Sequence, residues 1–174
     1  MNTEEILTLA TDIAKSWDWA TEVSRPSPKQ LDVKVTRLQE LVPIIVALRV
    51  KRLGYLSAII GLDLGPEAGE IEVLYHFCPG DAVIALRVRV PRRGGALPSL
   101  CDIVPSAEVF ERELREMFGI EFTGLHTPDR LYLPDDWPDG VYPMLKDFDP
   151  KVLSTFHGPE RSDDKPAPAV TEMK

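Results

Sequence analysis

Two neighbouring carboxylates, Asp135 and Asp136, stand between Pro134 and Trp137 and are, by residue type, the side chains of this chain best suited to chemistry. Paired carboxylates can move protons or hold Mg²⁺ or Ca²⁺. With His126 they would form the nucleus of a stand-alone metal-dependent enzyme. Adjacent residues usually point apart, however, and the plainer role of such a pair is to cap turns or accept backbone N–H groups. His126 and Asp129 are near enough in sequence to meet within one loop. The three histidines, His76, His126 and His157, fall on a strand, a loop and the tail, with no i, i+3 or i, i+4 pair to make a ligand face. Cys78 and Cys101 form no CxxC pair and cannot supply four thiolates to an iron–sulfur cluster or a structural zinc. Two reduced, buried thiols are expected. No GxGxxG, GxxxxGK[ST], GxSxG or HExxH motif occurs. The glycine-rich stretch from Arg92 to Gly95 leads into Leu97-Pro98 and offers no helix N-terminus to a phosphate. The expectation is a chain with no catalytic residue, no cofactor and no metal of its own.

The charge balance narrows the partners. The formal net charge is −8, which repels nucleic-acid phosphates and anionic lipid headgroups. The densest basic group, Arg87, Arg89, Arg92 and Arg93, does not reverse that sign. The acidic start, Met1 to Glu5, lacks the basic and apolar regions of a secretory leader. The most apolar run, Leu41 to Val50, is too short to cross a bilayer and carries Arg49. A cytoplasmic protein is expected, with neither nucleic-acid binding nor direct membrane insertion.

The elements that would position these residues follow from periodicity. Ile6, Ala10, Ile13 and Trp17 have helical spacing, with Asn2 or Thr3 as cap and Trp17–Trp19 at the end. Arg25 to Pro28 breaks the chain, and Leu31, Val33 and Val35 then alternate as in a half-buried strand. A helix within 36–53 places Leu38, Leu41, Ile45 and Leu48 on one side. Thr36 and Gln39 have capping-box spacing, but Pro43 favours a start near Leu41, because proline is tolerated only in the first turn. Three strands over 55–64, 70–77 and 82–90 are joined by short connections and should pair antiparallel. The last helix is the clearest. Ser106 caps it, Phe110, Leu114 and Met117 make its apolar stripe, and Gly119 is its left-handed stop.

These readings give an α+β, two-layer domain over 1–122, with a mixed but mostly antiparallel sheet covered by helices. Beyond Phe122 the rhythm is lost. The stretch 123–150 holds five prolines, yet is rich in Leu, Tyr, Trp and Phe. A loop so long tends to be functional, and apolar side chains without period need a surface to lie on. It reads as a partner-binding loop. The tail, 151–174, is dominated by polar residues and proline and is expected to be disordered unless bound. On the last helix, Glu108/Arg112 and Glu111/Arg115 are i, i+4 pairs, which decorate a solvated face or a charge-matched interface.

Two stretches carry a family resemblance. Glu111-Arg-Glu-Leu-Arg-Glu-Met-Phe-Gly119 resembles the ERExxD signature of the 30 kDa subunit of respiratory complex I, an NADH dehydrogenase. Pro128-Asp-Arg-Leu-Tyr-Leu-Pro-Asp-Asp-Trp137 and Lys146-Asp-Phe148 are similar to its RxLLPDDW…KDF segment. The chain departs from the respiratory pattern at Glu116, at 124–128, in the turn from Pro138 to Pro143 and at Met144-Leu145. The WPDGVYP form is more similar to the homologous subunits of energy-converting, membrane-bound nickel–iron hydrogenases.

The resemblance implies a non-catalytic subunit without a cofactor. It would bind the large subunit that carries the quinone or nickel–iron site, beside neighbouring iron–sulfur subunits, on the inner membrane face. It assigns partner binding to Glu111, Arg112, Glu113, Arg115 and Glu116 on the helix. On the loop it assigns Arg130, Asp135, Asp136, Trp137, Lys146 and Asp147.

Overall fold

The computed structural model describes residues 1–16, 21–127 and 129–155. The helix-ending tryptophans, Pro128 and most of the expected tail lie outside them. Five strands form one sheet in the order β1-β2-β5-β4-β3. These are β1 (Thr21–Ser27), β2 (Gln30–Val35), β3 (Tyr55–Asp63), β4 (Glu70–Cys78) and β5 (Val83–Pro91). β3, β4 and β5 pair antiparallel, as the short connections require. β2 runs parallel to β5, which its distance along the chain permits: a helix and two strands intervene.

The strand of alternating Leu31, Val33 and Val35 forms, and so does a strand where only a break was expected. β1 contains Pro26, and it is an edge strand, the one place in a sheet where a missing N–H is cheap. Two short strands, β6 (Ala96–Pro98) and β7 (Glu121–Thr123), make a separate parallel pair, one before and one after the last helix.

The inner face of the sheet is the core. Ile71, Val73, Tyr75 and Phe77 from β4 and Ile84, Leu86, Val88 and Val90 from β5 are all buried. α1 (Thr3–Lys15), α2 (Leu41–Val50) and α3 (Ala107–Phe118) supply the other layer of that core. α1 opens on a reciprocal capping box between Asn2 and Glu5. α2 begins at Leu41, so Pro43 falls in its first turn. The Thr36/Gln39 spacing does not cap it, because a single 3-10 turn, Leu38–Glu40, comes between. α3 ends at Gly119, whose φ of 76° is the left-handed stop. The expected tail begins with a 3-10 helix, Pro150–Thr155.

Candidate protein-interaction face

Ala107, Glu111, Leu114 and Phe118 recur at spacings of four, three and four, so they share one face of α3, and all four are buried. That face lies on β3 at Gly61, where an added Cβ would come within 2.6 Å of Phe118 Cε2. Glu111 is therefore not on the outward charged face where the sequence reading put it. It is 0% exposed. Its carboxylate accepts the Leu100 N–H at 2.7 Å and the Ser99 hydroxyl at 2.6 Å, with the Cys101 thiol at 3.4 Å. A buried carboxylate is tolerable only when its lone pairs are filled in this way. Burial pushes the Cys101 thiol up, against the Ser99 hydrogen bond. The Tyr75 hydroxyl is also buried and has no hydrogen-bond partner among the described residues. Desolvation, aided by the Glu111 charge, raises its pKa.

The outward side of α3 organises the loop. Arg112 donates to the carbonyls of Asp129 at 3.0 Å and Arg130 at 2.8 Å. Glu116 accepts the backbone N–H groups of Leu131, Tyr132 and Leu133, the latter two at 2.9 and 3.2 Å. Arg130 in turn donates to the Trp137 carbonyl at 2.7 Å and to Asp139 at 3.0 Å. The Trp137 indole N–H reaches the Val141 carbonyl at 2.8 Å, and its ring stacks on Phe148 with centroids 6.4 Å apart. Tyr142 fills the hollow over Gly119, its ring 2.5 Å from where a Cβ would stand. The Met144 N–H then bonds the Met117 carbonyl at 3.1 Å.

The loop's far end is fastened to the sheet. Asp63 accepts the Lys146 N–H at 2.7 Å and the Gly65 N–H at 2.9 Å, and Arg92 grips it through two bonds of 2.9 and 3.0 Å. Arg92 also pairs with Asp147. The Arg92 hydrogen bond holds the Asp63 carboxyl down at about 2, with the two N–H groups assisting and burial opposing. The sequence reading singled out neither Asp63 nor Arg92 for this role. The available signal was a carboxylate closing a strand that is otherwise free of charge.

Of the predicted interface residues, seven thus spend side-chain polar groups inside the chain: Glu111, Arg112, Arg115, Glu116, Arg130, Trp137 and Asp147. Arg115 pairs with Glu121 at 3.5 Å. The i, i+4 partnerships expected of Arg112 and Glu111 are replaced by these bonds. No side-chain hydrogen bond or ion pair joins Glu113, Asp135 or Asp136 to another described residue, and only the backbone N–H of Lys146 is engaged. Asp135 and Asp136 are exposed, and do not take the turn-capping role that their position suggested. His126 meets Asp102 at 2.9 Å, not Asp129. Among the described residues no three His, Cys, Asp or Glu side chains converge as metal ligands.

The loop also leaves apolar surface outside. Tyr132 is 59% and Met144 56% exposed, and Leu131, Leu133, Trp137, Val141 and Phe148 are half-buried. An open cleft of about 550 Å³ lies between α3 and the loop, lined in part by Glu116, Arg130, Asp135, Trp137 and Tyr142. This face thus combines exposed carboxylates without polar partners among the described residues, Asp135 and Asp136, with half-buried aromatic rings.

Known proteins agree with this fold. Formate hydrogenlyase subunit 5 of Escherichia coli (strain K12) is 39% identical over 118 residues, which are 66% of this chain and 20% of that protein. An NADH-quinone oxidoreductase subunit of Roseiflexus castenholzii (strain DSM 13941 / HLO8) is 37% identical over 98 residues, 55% of each chain. The chain therefore spans about a fifth of the first relative and about half of the second. A chain in the structure of the membrane-bound sulfane sulfur reductase, an archaeal respiratory membrane complex, has the same fold. Its TM-score is 0.68 at 24% identity, over 94% of this chain and 98% of that one. The model of the family described as respiratory-chain NADH dehydrogenase, 30 Kd subunit, matches residues 32–152, and the chain belongs to that family.

Proposed function

We propose that this chain is a non-catalytic assembly subunit in the peripheral arm of a complex I-related membrane oxidoreductase. It binds the large subunit, the one that carries the quinone or nickel–iron site. The observation that carries the reading is the state of the 123–148 loop. Its backbone is fixed by Arg112, Glu116 and Asp63, yet Tyr132 and Met144 remain exposed and Trp137 half-exposed, on the same loop as the exposed carboxylates of Asp135 and Asp136. A loop held in shape, with its apolar side outward, is prepared for a second surface.

The lengths of the relatives support a large partner. In formate hydrogenlyase subunit 5 the matched stretch is one fifth of the protein, so the related domain there is joined to a much longer polypeptide. The lean to the hydrogenase type of complex over the NADH:quinone type rests on the sequence Trp137 to Pro143, whose form is more similar to that of the hydrogenase subunits. The chain itself is assigned no cofactor; the redox centres belong to partner subunits, including neighbouring iron–sulfur subunits. Among the described residues no helix is long and apolar enough to cross a membrane. The proposed attachment to the inner membrane face is therefore through those partners.

Co-purification with the large subunit of the native complex tests this. Trp137→Ala removes a central aromatic anchor and should cost roughly 2 kcal/mol or more of binding, about a thirtyfold loss. Glu113→Lys reverses an unpaired charge and should weaken capture, more so at low salt. Undiminished assembly of both variants would contradict the proposal.

A further inference from the structure

The two edges of the sheet are treated unequally. β1 carries Glu22, Arg25 and Pro26 and a register shift between Ser24 and Ser27. These are the devices that stop a foreign strand from adding to an edge. β3, at the other edge, is nine residues long and has no proline and no charge before Asp63. Its one irregularity lies between Leu56 and Ala58, so Ala58 to Asp63 keep an unbroken register with β4.

Among the described residues no strand pairs with β3 on the side away from β4. A row of backbone N–H and C=O groups therefore faces outward along that edge. On the sheet face opposite the helices, Tyr55, Ile60 and Leu62 are 65%, 45% and 46% exposed. They stand in register with Cys78, Leu74 and Glu72 of β4. Half-buried Leu74 thus extends the apolar strip across two strands.

We propose that β3 is a strand-addition site, at which an extended segment of the large partner polypeptide pairs with the edge and continues the sheet. The inference rests on the assembly role proposed above and names a second, chemically distinct part of the same interface. Unpaired strand backbone selects its occupant, because only another extended backbone satisfies alternating donors and acceptors. The Tyr55, Ile60, Leu62 and Leu74 strip asks that occupant for apolar side chains at every second position.

A partner polypeptide fits better than a second copy, for two reasons. The chain carries −8, so two copies meeting at this edge repel. β3 is also continuous with the loop face: Gly61 lies beneath Phe118 of α3, and Asp63 holds the Lys146 N–H. The loop and the edge therefore adjoin at the Asp63 end of β3.

Amide hydrogen exchange on the isolated chain and on the native complex reads the pairing directly. The expected result is exchange about tenfold slower or more in the complex at those amides of 58–62 that point away from β4, which exchange freely in the isolated chain, while the amides bonded to β4 are protected in both states. Ile60→Lys and Leu62→Lys place charges on the strip and should lower affinity for the large subunit about tenfold, with unchanged thermal melting of the isolated chain. Trp137→Ala reports on the loop separately. If exchange within 58–62 is the same in both states while Trp137→Ala still impairs assembly, strand addition is overturned and the assembly role stands. If the isolated chain already protects the outward-pointing amides of 58–62, through its own residues 156–174 or a second copy, strand addition by the partner is equally overturned. Should a lysine variant fail to fold, the exchange comparison on the unaltered protein decides.

Discussion

Single carboxylates decide how this chain is held together, and charge alone does not say which ones. Glu111 and Glu113 are two residues apart in one motif; the first is wholly buried, and the second has no polar partner among the described residues. The difference was legible in spacing, since Glu111 falls in register with Ala107, Leu114 and Phe118. The donors that make its burial possible, on Ser99 and Leu100, were not, because they come from a segment without period. Asp63 shows the same logic with a measurable consequence. Its folded pKa lies below the ordinary carboxylate value, so its stabilising effect is present above about pH 4 and is lost as pH falls through about 2. Asp147 is lowered in the same direction by Arg92. Urea unfolding should therefore show stability falling as pH drops from about 4 to about 2. Asp63→Asn should remove most of that dependence and cost on the order of 2 kcal/mol at pH 7. A variant with wild-type stability at both pH 7 and pH 3 would show that the Arg92 cluster contributes nothing.

At the level of elements, local signals located the helices and their stops, although Ser106 makes no side-chain capping bond at α3. Pro43 correctly delayed α2 to Leu41, and Gly119 correctly ended α3. They failed where a neighbour sets the outcome. β1 is a strand because β2 offers it an edge, in spite of Arg25-Pro26. The parallel pairing of β2 with β5 is likewise a tertiary fact that no local pattern encodes. Gly119 does more than stop the helix, for Tyr142 occupies the space a side chain would need. Gly119→Ala meets both the left-handed backbone and that ring. It should cost at least about 1–2 kcal/mol, seen as a lower melting temperature, and should loosen the loop as read by faster amide hydrogen exchange over 141–148. An unshifted melting temperature would contradict the joint role given to this glycine.

For the molecule as a whole, the sequence reading treated the stretch after Thr123 as greasy residues in need of a surface. The structure divides that need. Leu125 and Leu145 pack on the domain's own core, and a row of polar bonds from α3 and Arg92 fixes the backbone. What remains outside is the exposed Tyr132 and Met144 and the half-buried Trp137. The family is one of subunits, and the exposed side of the loop is where this one would be completed. Hydroxyl-radical footprinting of the native complex against the isolated chain measures that completion residue by residue. Oxidation of Tyr132, Trp137 and Met144 should fall severalfold in the complex, while that of exposed Met1, beside α1 on the β1–β2 side of the sheet, stays unchanged. Equal oxidation of the three loop residues in both states would mean that no partner covers them.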